Sequence, residues 1–270
     1  MNNAEQYYNR HSREYAEKWK TMKDTFTPSY YFRQYIMQAV LAAACLEKTD
    51  KVVEIGCGTG LVLREALKIV RPVFGTDISP EMLERVRDSV LSEKKIIIVN
   101  DFIAAGAHPE TDVFLMVNNL LELNLPKNYF DKIISVEVLR YVENLDAALT
   151  NVARAMKSRS LFVFTITNFW SASFFPLKYS LRKIFGFLKP EKELLQYFTT
   201  KSTLFRKLKK TGFSVEKIER IGFLSVNPLT KKLIKNETMA RVISRLDRVL
   251  SHIPLINAFF DTLLVTAKKQ

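Results

Sequence analysis

A glycine-rich turn directly after a short apolar run is the part of the sequence best suited to hold a ligand. Glu54, Gly56, Gly58 and Gly60 give the pattern E-x-G-x-G-x-G at the end of a predicted buried strand. Glycine has no Cβ, so it lets the backbone turn tightly and approach a ligand closely. The helix expected next would present free backbone N–H groups. The pattern therefore predicts a site for a nucleotide-type cofactor, with Cys57 inside the turn.

An acidic residue stands where the ribose of such a cofactor would lie. Asp77 ends the next predicted strand, roughly twenty residues after the glycines, and its carboxylate can accept hydrogen bonds from a ribose diol. A dinucleotide fingerprint, G-x-G-x-x-G, is one alternative, but the spacing here is G-x-G-x-G and Glu54 comes two residues before the first glycine. That spacing departs from a pyrophosphate site. A glycine-rich turn without a ligand is the other alternative.

Hydrophobic periodicity alternates between the strand and helix types along most of the chain. Such alternation is typical of a parallel sheet covered by helices on both faces. Ser79, Pro80 and Glu81 supply one helix with an N-cap, a first-turn proline and an acidic first turn. The predicted helices are 7–20, 31–46, 61–70, 80–91, 145–156 and 202–211, and the predicted strands are 51–55, 73–76, 113–117, 132–136, 161–165, 215–221 and 262–268. These elements predict an α/β fold.

Three further stretches carry a resemblance to a known family. They are residues 75–83, residues 118–131, which follow the pattern G-D-x-x-x-L-x-L-P-x-x-x-F-D without a gap, and residues 133–142 with 145–156. With the glycine turn, they resemble the class I S-adenosylmethionine-dependent methyltransferases, in particular the small-molecule group related to the ubiquinone and menaquinone biosynthesis methyltransferases. The resemblance implies a Rossmann-like, doubly wound, mostly parallel seven-stranded sheet, S-adenosyl-L-methionine as cofactor, and methyl transfer as the activity.

The resemblance also implies which residues would hold the cofactor. Asp77 would bind the ribose hydroxyls, Asn119 would border adenine, and residues 136–139 would border the methionine portion. The N-terminal helix would close over the cofactor through Tyr8 or Tyr15. The complete predicted cofactor set is Tyr15, Glu54, Gly56, Cys57, Gly58, Gly60, Asp77, Ile78, Met82, Asn119, Leu120, Val136 and Glu137.

The match departs from the family pattern on the adenine side. The acidic residue of the family falls on Asn119, whose amide oxygen can still accept a hydrogen bond from the adenine amino group. The interval from Asp77 is longer than usual in the family, with residues 94–112 as an insertion. Asp101, after residues 96–99, offers a competing alignment at a more ordinary distance. Asn119 is preferred because the downstream Leu-Pro and Phe-Asp positions keep their register.

Few acid–base side chains lie near the predicted cofactor site. Methyl transfer is an in-line displacement at a sulfonium, so the protein chiefly positions the acceptor and excludes water. A general base is needed only if the acceptor must lose a proton, and His11, Tyr15 and Glu137 are the candidates. The three histidines, His11, His108 and His252, lie far apart and none has a second ligand at metal spacing, which predicts no metal site.

The net charge of the chain indicates anionic partners but does not show which class of anionic partner binds. Lys and Arg outnumber Asp and Glu by 41 to 28, giving a formal net charge of +13, which favours anionic partners such as phosphorylated substrates, nucleic acid or acidic lipid. A nucleic-acid methyltransferase is an alternative function. It is disfavoured because the Asn-Pro-Pro-aromatic motif is missing: Asn227 and Pro228 are followed by Leu229.

Cysteine content and apolar runs indicate the cellular compartment. Cys45 and Cys57 are the only cysteines, and one lies in the glycine turn, so a reducing compartment is expected. No secretory signal or membrane-spanning run is evident. The predicted location is cytoplasmic, with contact to a membrane surface left open. The oligomeric state has no signature in the sequence.

Two segments interrupt the alternation and are predicted to be helical insertions that form a lid over the acceptor pocket. The aromatic content of the first of them predicts a small hydrophobic or aromatic acceptor. Its aromatic residues include Phe169, Trp170, Phe174, Phe175, Tyr179, Phe185 and Phe187. The predicted organisation is a helical cap over 1–46, a core of 47–168, 199–228 and 258–270, and insertions at 169–198 and 229–257.

A different class of function remains an alternative: a peripheral membrane-binding module that keeps the fold without catalysis. Basic residues of the second insertion lie opposite an apolar helical stripe, as in helices that bind membrane surfaces. The basic residues are Arg241, Arg245 and Arg248, and the stripe is Met239, Val242, Ile243, Leu246 and Val249. The glycine turn and Asp77 favour cofactor use over this alternative.

Overall fold

The computed structural model describes residues 3–24, 26–88, 93–102, 108–187 and 193–270. Four residues predicted to lie on helix faces, Val90, Leu91, Leu188 and Lys189, fall outside these ranges. Among the described residues, no helix combines the length and the apolar character needed to cross a bilayer.

Two helices precede the sheet, and strands and helices then alternate. The second helix begins where Thr27 accepts a hydrogen bond from the backbone N–H of Tyr30 at 3.2 Å, followed by Pro28 at the first helical position. The elements of this part are α1 (Asn3–Asp24), α2 (Pro28–Ala44), β1 (Val52–Ile55), α3 (Leu61–Ala66), β2 (Val73–Asp77), α4 (Pro80–Asp88), β3 (Ile96–Ile98), β4 (Val113–Val117), β5 (Phe130–Ser135), α5 (Leu145–Ala155) and β6 (Met156–Thr167).

The last hundred residues complete the sheet and add the two insertions. The elements are α6 (Phe175–Ile184), α7 (Lys201–Lys210), β7 (Phe213–Ile221), α8 (Pro228–Lys231), α9 (Glu237–Leu250), α10 (Pro254–Asn257) and β8 (Thr262–Lys269). The insertion helix α6 follows β6, and α8 to α10 lie between β7 and β8.

The sheet has the order β3-β4-β2-β1-β5-β6-β8-β7. All strand pairs are parallel except those of β8, which runs antiparallel to both β6 and β7. The predicted doubly wound, mostly parallel sheet is confirmed. Eight strands rather than the predicted seven are present among the described residues, because Ile96–Ile98 of the apparent insertion pairs with β4 as an edge strand.

Both faces of the sheet are buried, which explains why the central strands are mostly apolar, with polar residues such as Glu54 and Asp77 toward their carboxyl ends. Val53 and Phe74 face a cluster that includes α5 and α7, whereas Val52 and Val73 face α2, α3 and α4. Successive residues of a strand point to opposite faces, so each strand contributes to both clusters. The order of the chain reverses between β1 and β5, and in open sheets of this kind the carboxyl ends at such a reversal border a crevice.

The two insertion helices turn their apolar stripes outward, contrary to the expectation that the stripe of 169–198 covers a pocket. Leu177, Leu181 and Ile184 of α6 are exposed. On α9, Met239, Val242, Leu246 and Val249 are exposed as well. Hydrogen-bonding side chains occupy the inner faces instead: Tyr179 on α6 and Asp247 on α9 are buried.

Candidate functional site

The glycine turn is fastened to the end of the neighbouring strand. The backbone N–H groups of Gly56 and Cys57 both donate to the carbonyl oxygen of Thr76, at 2.7 and 2.9 Å. Gly56 has a φ of 73°, and a Cβ at this position would collide with the side chain of Val138. Gly60 is the N-cap of α3, also in the left-handed region. The turn therefore needs glycine both for its conformation and for the close approach of the loop after β5.

Asp77 joins the glycine turn to the start of α4. Its carboxylate accepts from the backbone N–H of Gly58 at 2.9 Å and of Ser79 at 3.0 Å. Burial raises the pKa of the Asp77 carboxyl, while the two backbone N–H groups oppose that rise. Each carboxylate oxygen can accept more than one hydrogen bond, so Asp77 can bind these N–H groups and still accept from a ligand hydroxyl.

Glu54 contributes a buried carboxyl to the same cavity. Its Oε2 atom has no hydrogen-bond partner among the residues that the structure describes. Burial raises the pKa of this carboxyl well above its usual range, and the nearby Asp77 raises it further, while Arg33 lowers it. A buried carboxylate oxygen without a donor is costly, so this atom marks a place for a cationic or N–H-bearing group of a ligand.

The predicted adenine residues lie beside the cavity. Asn119 lines it and caps the short 3-10 helix Leu120–Glu122, its side-chain oxygen accepting from Leu121 N at 3.0 Å. Neighbouring Asn118 also lines the cavity, and its buried Nδ2 has no partner among the described residues. Asp101, the competing candidate, is exposed and follows the edge strand β3. Of the two candidates, Asn119 lines the cavity and Asp101 does not.

The loop after β5 holds a charged pair at the cavity. Glu137 has a φ of 62°, a region that residues other than glycine rarely adopt. Its backbone N–H donates to Thr165 Oγ1 at 2.8 Å, and its carboxylate forms an ion pair of 2.7 Å with Arg140. The strained backbone is thus held by β6 and aims Glu137 at Arg140 rather than at bulk solvent.

Cationic and aromatic side chains form the wall nearest α1. Arg33 of α2 donates to the Tyr15 hydroxyl at 2.8 Å. The Arg140 guanidinium lies over the Tyr141 ring at 4.9 Å from its centroid, and the rings of Tyr141 and Tyr8 meet edge to face. Burial raises the pKa of the Tyr8 hydroxyl well above its usual value. This wall can contact a planar or anionic molecule.

Sequence analysis missed three of these side chains, Arg33, Arg140 and Tyr141. The signal for Arg33 was present: it precedes the buried residues Ile36, Met37 and Val40 by three, four and seven positions, so it lies on the buried stripe of α2. An arginine on a buried stripe needs partners, which the cavity supplies. Arg140 has no comparable signal, because its partners come from β6 and from the turn before it.

The structure brings almost the whole predicted cofactor set to one cavity. Gly60 is the exception, since it lies behind the turn as the N-cap of α3. His11 packs elsewhere: its ring stacks on Tyr7, and its Nδ1 donates to the Tyr7 carbonyl oxygen at 2.8 Å. The predicted residues that line the cavity are Tyr15, Glu54, Gly56, Cys57, Gly58, Asp77, Ile78, Met82, Asn119, Leu120, Val136 and Glu137.

A family model described as a methyltransferase domain matches residues 29–218 of the chain. The chain belongs to the methyltransferase domain family. Its predicted resemblance to the class I S-adenosylmethionine-dependent enzymes is confirmed, and S-adenosyl-L-methionine is the cofactor that this methyltransferase domain implies.

Curated relatives share part of this methyltransferase domain. The chain is 25% identical to an uncharacterised methyltransferase of Schizosaccharomyces pombe, over 66% of this chain and 64% of the relative. It is 30% identical to the ubiquinone/menaquinone biosynthesis C-methyltransferase of Chromobacterium violaceum, over 57% of this chain and 58% of the relative. The chain thus spans less than two thirds of the length of each of these relatives.

A solved structure shows the same fold. Magnesium protoporphyrin IX methyltransferase from Synechocystis, with bound S-adenosylhomocysteine, aligns with a TM-score of 0.59 and 15% identity. The alignment covers 99% of this chain and 98% of that one. At this identity the likeness establishes the fold alone.

The cavity of this methyltransferase domain fits the implied cofactor chemically. Glu54 Oε2 is an unpaired acceptor, and Asn118 Nδ2 and Arg140 Nε are buried donors without partners among the described residues. The ammonium group of the cofactor can donate to the one protein acceptor. The adenine ring nitrogens and the carboxylate of the cofactor can accept from the two protein donors. The described ranges contain no group of three or more His, Cys, Asp or Glu residues that could hold a metal ion.

Proposed function

We propose that the protein transfers a methyl group from S-adenosylmethionine to a small, hydrophobic or aromatic acceptor. The observation that carries the proposal is the convergence of the Glu54–Gly60 turn, Asp77 and Asn119 on one cavity at the carboxyl ends of β1, β2 and β4. Bound cofactor supplies an electrophilic methyl group on a sulfonium. The protein's part is to orient the two reactants and to exclude water.

The cofactor residues divide by chemistry. Asp77 binds the ribose hydroxyls, because its carboxylate is fixed by two backbone N–H groups and keeps acceptor capacity. Glu54 accepts from the ammonium group, which supplies the donor that its Oε2 lacks. Asn118 and Asn119 border the adenine edge, and Ile78 and its neighbour Met82 pack against the ring.

The acceptor lies against α1 and the loop after β5. The cavity wall there contains Tyr8, Tyr141 and Met37, which suit an apolar or planar molecule, and Arg33 and Arg140, which suit an anionic substituent. The similarity to a quinone-biosynthesis methyltransferase, and the fold shared with a magnesium protoporphyrin IX methyltransferase, support an acceptor of this kind.

Acid–base catalysis by the protein is a minor part of the proposal. Glu137 is held by Arg140 at 2.7 Å, so it positions that guanidinium rather than taking a proton from the acceptor. Tyr15 is the hydrogen-bond partner of Arg33. His11 stacks on Tyr7 and does not line the cavity. We therefore favour an acceptor that is already nucleophilic when it binds.

Methyl-labelled S-adenosylmethionine tests the proposal without knowledge of the acceptor. The full chain is incubated with the label and a deproteinised cell extract to which total RNA and DNA are added back, and the products are separated into organic-soluble small molecules and nucleic acid. The proposal expects label in the small-molecule fraction, and much less with the Asp77→Asn variant. Label in nucleic acid would contradict the acceptor class. Absence of label in both fractions, with S-adenosylhomocysteine still bound, would contradict catalysis and favour the membrane-binding module.

A further inference from the structure

The exposed apolar side chains of the protein are concentrated in the two insertions. Elsewhere in the described residues, the large hydrophobic side chains that are exposed are Phe26, Ile69, Ile98 and Val117. Isolated exposed hydrophobic residues are normal on a soluble protein, whereas contiguous ones mark an interaction surface. In the first insertion they are Trp170, Phe174, Phe175, Leu177, Leu181, Ile184, Phe185 and Phe187, and in the second Leu229, Leu233, Met239, Val242, Leu246, Val249, Ile253 and Leu255, with Phe259 directly after it.

The outward orientation of α6 is fixed by hydrogen bonds on its inner face. The Tyr179 hydroxyl donates to the Leu194 carbonyl at 3.2 Å and accepts from Gln196 N at 3.0 Å. On the same helix, Arg182 forms an ion pair of 2.7 Å with Glu193. Because these polar contacts hold one face against the fold, the stripe Leu177, Leu181 and Ile184 points away from it.

The same arrangement occurs independently on α9. Buried Asp247 accepts from the backbone N–H of Leu224 at 2.7 Å and from the Ser225 hydroxyl at 2.8 Å. The apolar residues Met239, Val242, Leu246 and Val249 recur at helical spacing on the opposite, exposed side. Two helices from separate insertions thus have their polar anchors inside and their apolar stripes outside.

The two insertions share one end of the molecule. The backbone N–H of Ala172 donates to the Phe259 carbonyl at 2.7 Å, and Ser171 Oγ donates to Asp261 Oδ1 at 2.5 Å. The first insertion leaves the carboxyl end of β6, and the second enters the amino end of the antiparallel strand β8 beside it. Both therefore start from the edge of the sheet on which the candidate cavity opens.

Basic side chains border the apolar surface of α6. Lys178 and Lys183 are exposed, and Lys178 and Arg182 line a shallow apolar groove together with Phe174, Leu177 and Leu181. Residues 169–187 contain no acidic residue. The exposed basic residues of the second insertion include Arg245 and Arg248.

We infer that this surface docks on an anionic lipid bilayer. A bilayer supplies both an apolar layer for the aromatic and aliphatic side chains and anionic headgroups for the lysines and arginines. Residues 169–187 carry three basic and no acidic residues, so a second copy of this chain would bring like charges together. The docking surface is defined as α6 with Phe174, Phe185 and Phe187, and α9 carries a second exposed apolar stripe. The inference does not depend on the proposed catalysis.

Vesicle co-sedimentation of the full chain tests the inference. Vesicles of equal parts phosphatidylcholine and phosphatidylglycerol are compared with vesicles of phosphatidylcholine alone. The protein should sediment with the anionic vesicles, less with the neutral ones, and less as salt rises. Lys178→Glu with Lys183→Glu should lower the partition coefficient about tenfold or more, since each basic residue near an anionic surface contributes about fivefold.

A matched pair of variants distinguishes docking through the proposed surface from nonspecific hydrophobic adsorption to vesicles. Leu181 on α6 is 44% exposed, and Ile69, outside both insertions, is 45% exposed. Leu181→Glu should lower anionic-vesicle binding about tenfold, whereas Ile69→Glu should leave it unchanged. Thermal unfolding and S-adenosylhomocysteine affinity should match the wild type in both variants, which keeps this test independent of the cofactor site.

Two results would overturn the inference. One is the absence of sedimentation with anionic vesicles, or equal binding by Leu181→Glu and the wild type. The other is a concentration-dependent dimer, seen by light scattering, that Leu181→Glu dissociates while vesicles bind neither form. That result would assign the surface to a second copy of this chain.

Discussion

Glu54 is the residue whose chemistry depends most on what fills the cavity. Its carboxyl is buried beside Asp77, and one of its oxygens has no partner among the described residues. Such a group favours the protonated form in the empty protein. A cationic ligand group reverses that preference, because it supplies both a donor and an opposite charge. Glu54 therefore lowers the stability of the folded protein without ligand and raises its affinity for a cationic ligand group.

The pH dependence of stability tests this account of Glu54. Because the pKa of the folded carboxyl is raised, its contribution to stability is complete below the unfolded value, near 4.5, and is lost as pH rises through the folded value. Without ligand, Glu54→Gln should therefore be more stable than the wild type at pH 8 by at least about 1 kcal/mol. The difference should shrink as the pH falls toward 4.5, as measured by urea denaturation.

Glu65→Gln is the control with the opposite sign. Lys68 and Arg64 hold the pKa of the Glu65 carboxyl below its usual value despite partial burial. Its contribution is present above the unfolded pKa and lost as pH falls, so the variant should be slightly less stable than the wild type at pH 8. If the difference between Glu54→Gln and the wild type did not change with pH, the buried carboxyl would not be perturbed as described.

At the scale of elements, anchoring residues decide which way a helix faces. The apolar stripe of α9 predicts a helix with one apolar face, and that face could equally well have packed on the sheet. Asp247 settles the orientation, because its carboxylate caps the backbone N–H groups of the turn 223–225. The helix then contacts α2 and β7 through its polar side.

Substitution of Asp247 should therefore destabilise the protein without affecting the cofactor site. Asp247→Ala leaves the N–H groups of Phe223, Leu224 and Ser225 without their acceptor, which should lower the free energy of unfolding by about 2–4 kcal/mol. Arg245→Ala, an exposed change on the same helix, should stay within about 0.5 kcal/mol of the wild type. Thermal and urea unfolding measure both. A small effect of Asp247→Ala would mean that α9 is held mainly by other contacts.

Local patterns predicted the elements of the core but not every strand. The strand, glycine turn and helix around Gly56 were predictable because tight turns require specific residue types. The position of Asp77 near this turn was predictable because Asp77 ends the next parallel strand. The edge strand β3 was missed, because Ile96–Ile98 is too short to show a period and depends on pairing with β4.

Most of the candidate site was predictable from motifs, and the remainder depends on distant contacts. Motif positions such as Asn119 reach the cavity because each follows a parallel strand. Arg140 owes its role to Glu137 and to Thr167 at the end of β6, 27 residues away. The outward orientation of the apolar stripes of α6 and α9 was also not predictable from local sequence. Periodicity shows that a helix has an apolar face but not whether that face points toward the core or toward solvent.

At the scale of the whole molecule, the candidate cavity and both insertions lie at one edge of the sheet. The cavity opens at the carboxyl ends of the parallel strands, and both insertions leave from the same edge. The net charge of +13 favours approach to anionic surfaces and ligands. The arrangement suits a hydrophobic acceptor that enters from a membrane surface, and this idea rests on both proposals.

We propose that S-adenosylmethionine binds at the glycine turn with its ribose on Asp77. Isothermal titration calorimetry with S-adenosylhomocysteine tests it most directly, comparing Asp77→Asn with Asp101→Asn, the exposed acid of the competing alignment. Asp77→Asn should weaken binding by about tenfold to a hundredfold, the effect of losing a charged acceptor for a buried hydroxyl pair. Asp101→Asn should bind like the wild type. Unchanged affinity in Asp77→Asn, with loss in Asp101→Asn and both variants folded by circular dichroism, would contradict the account.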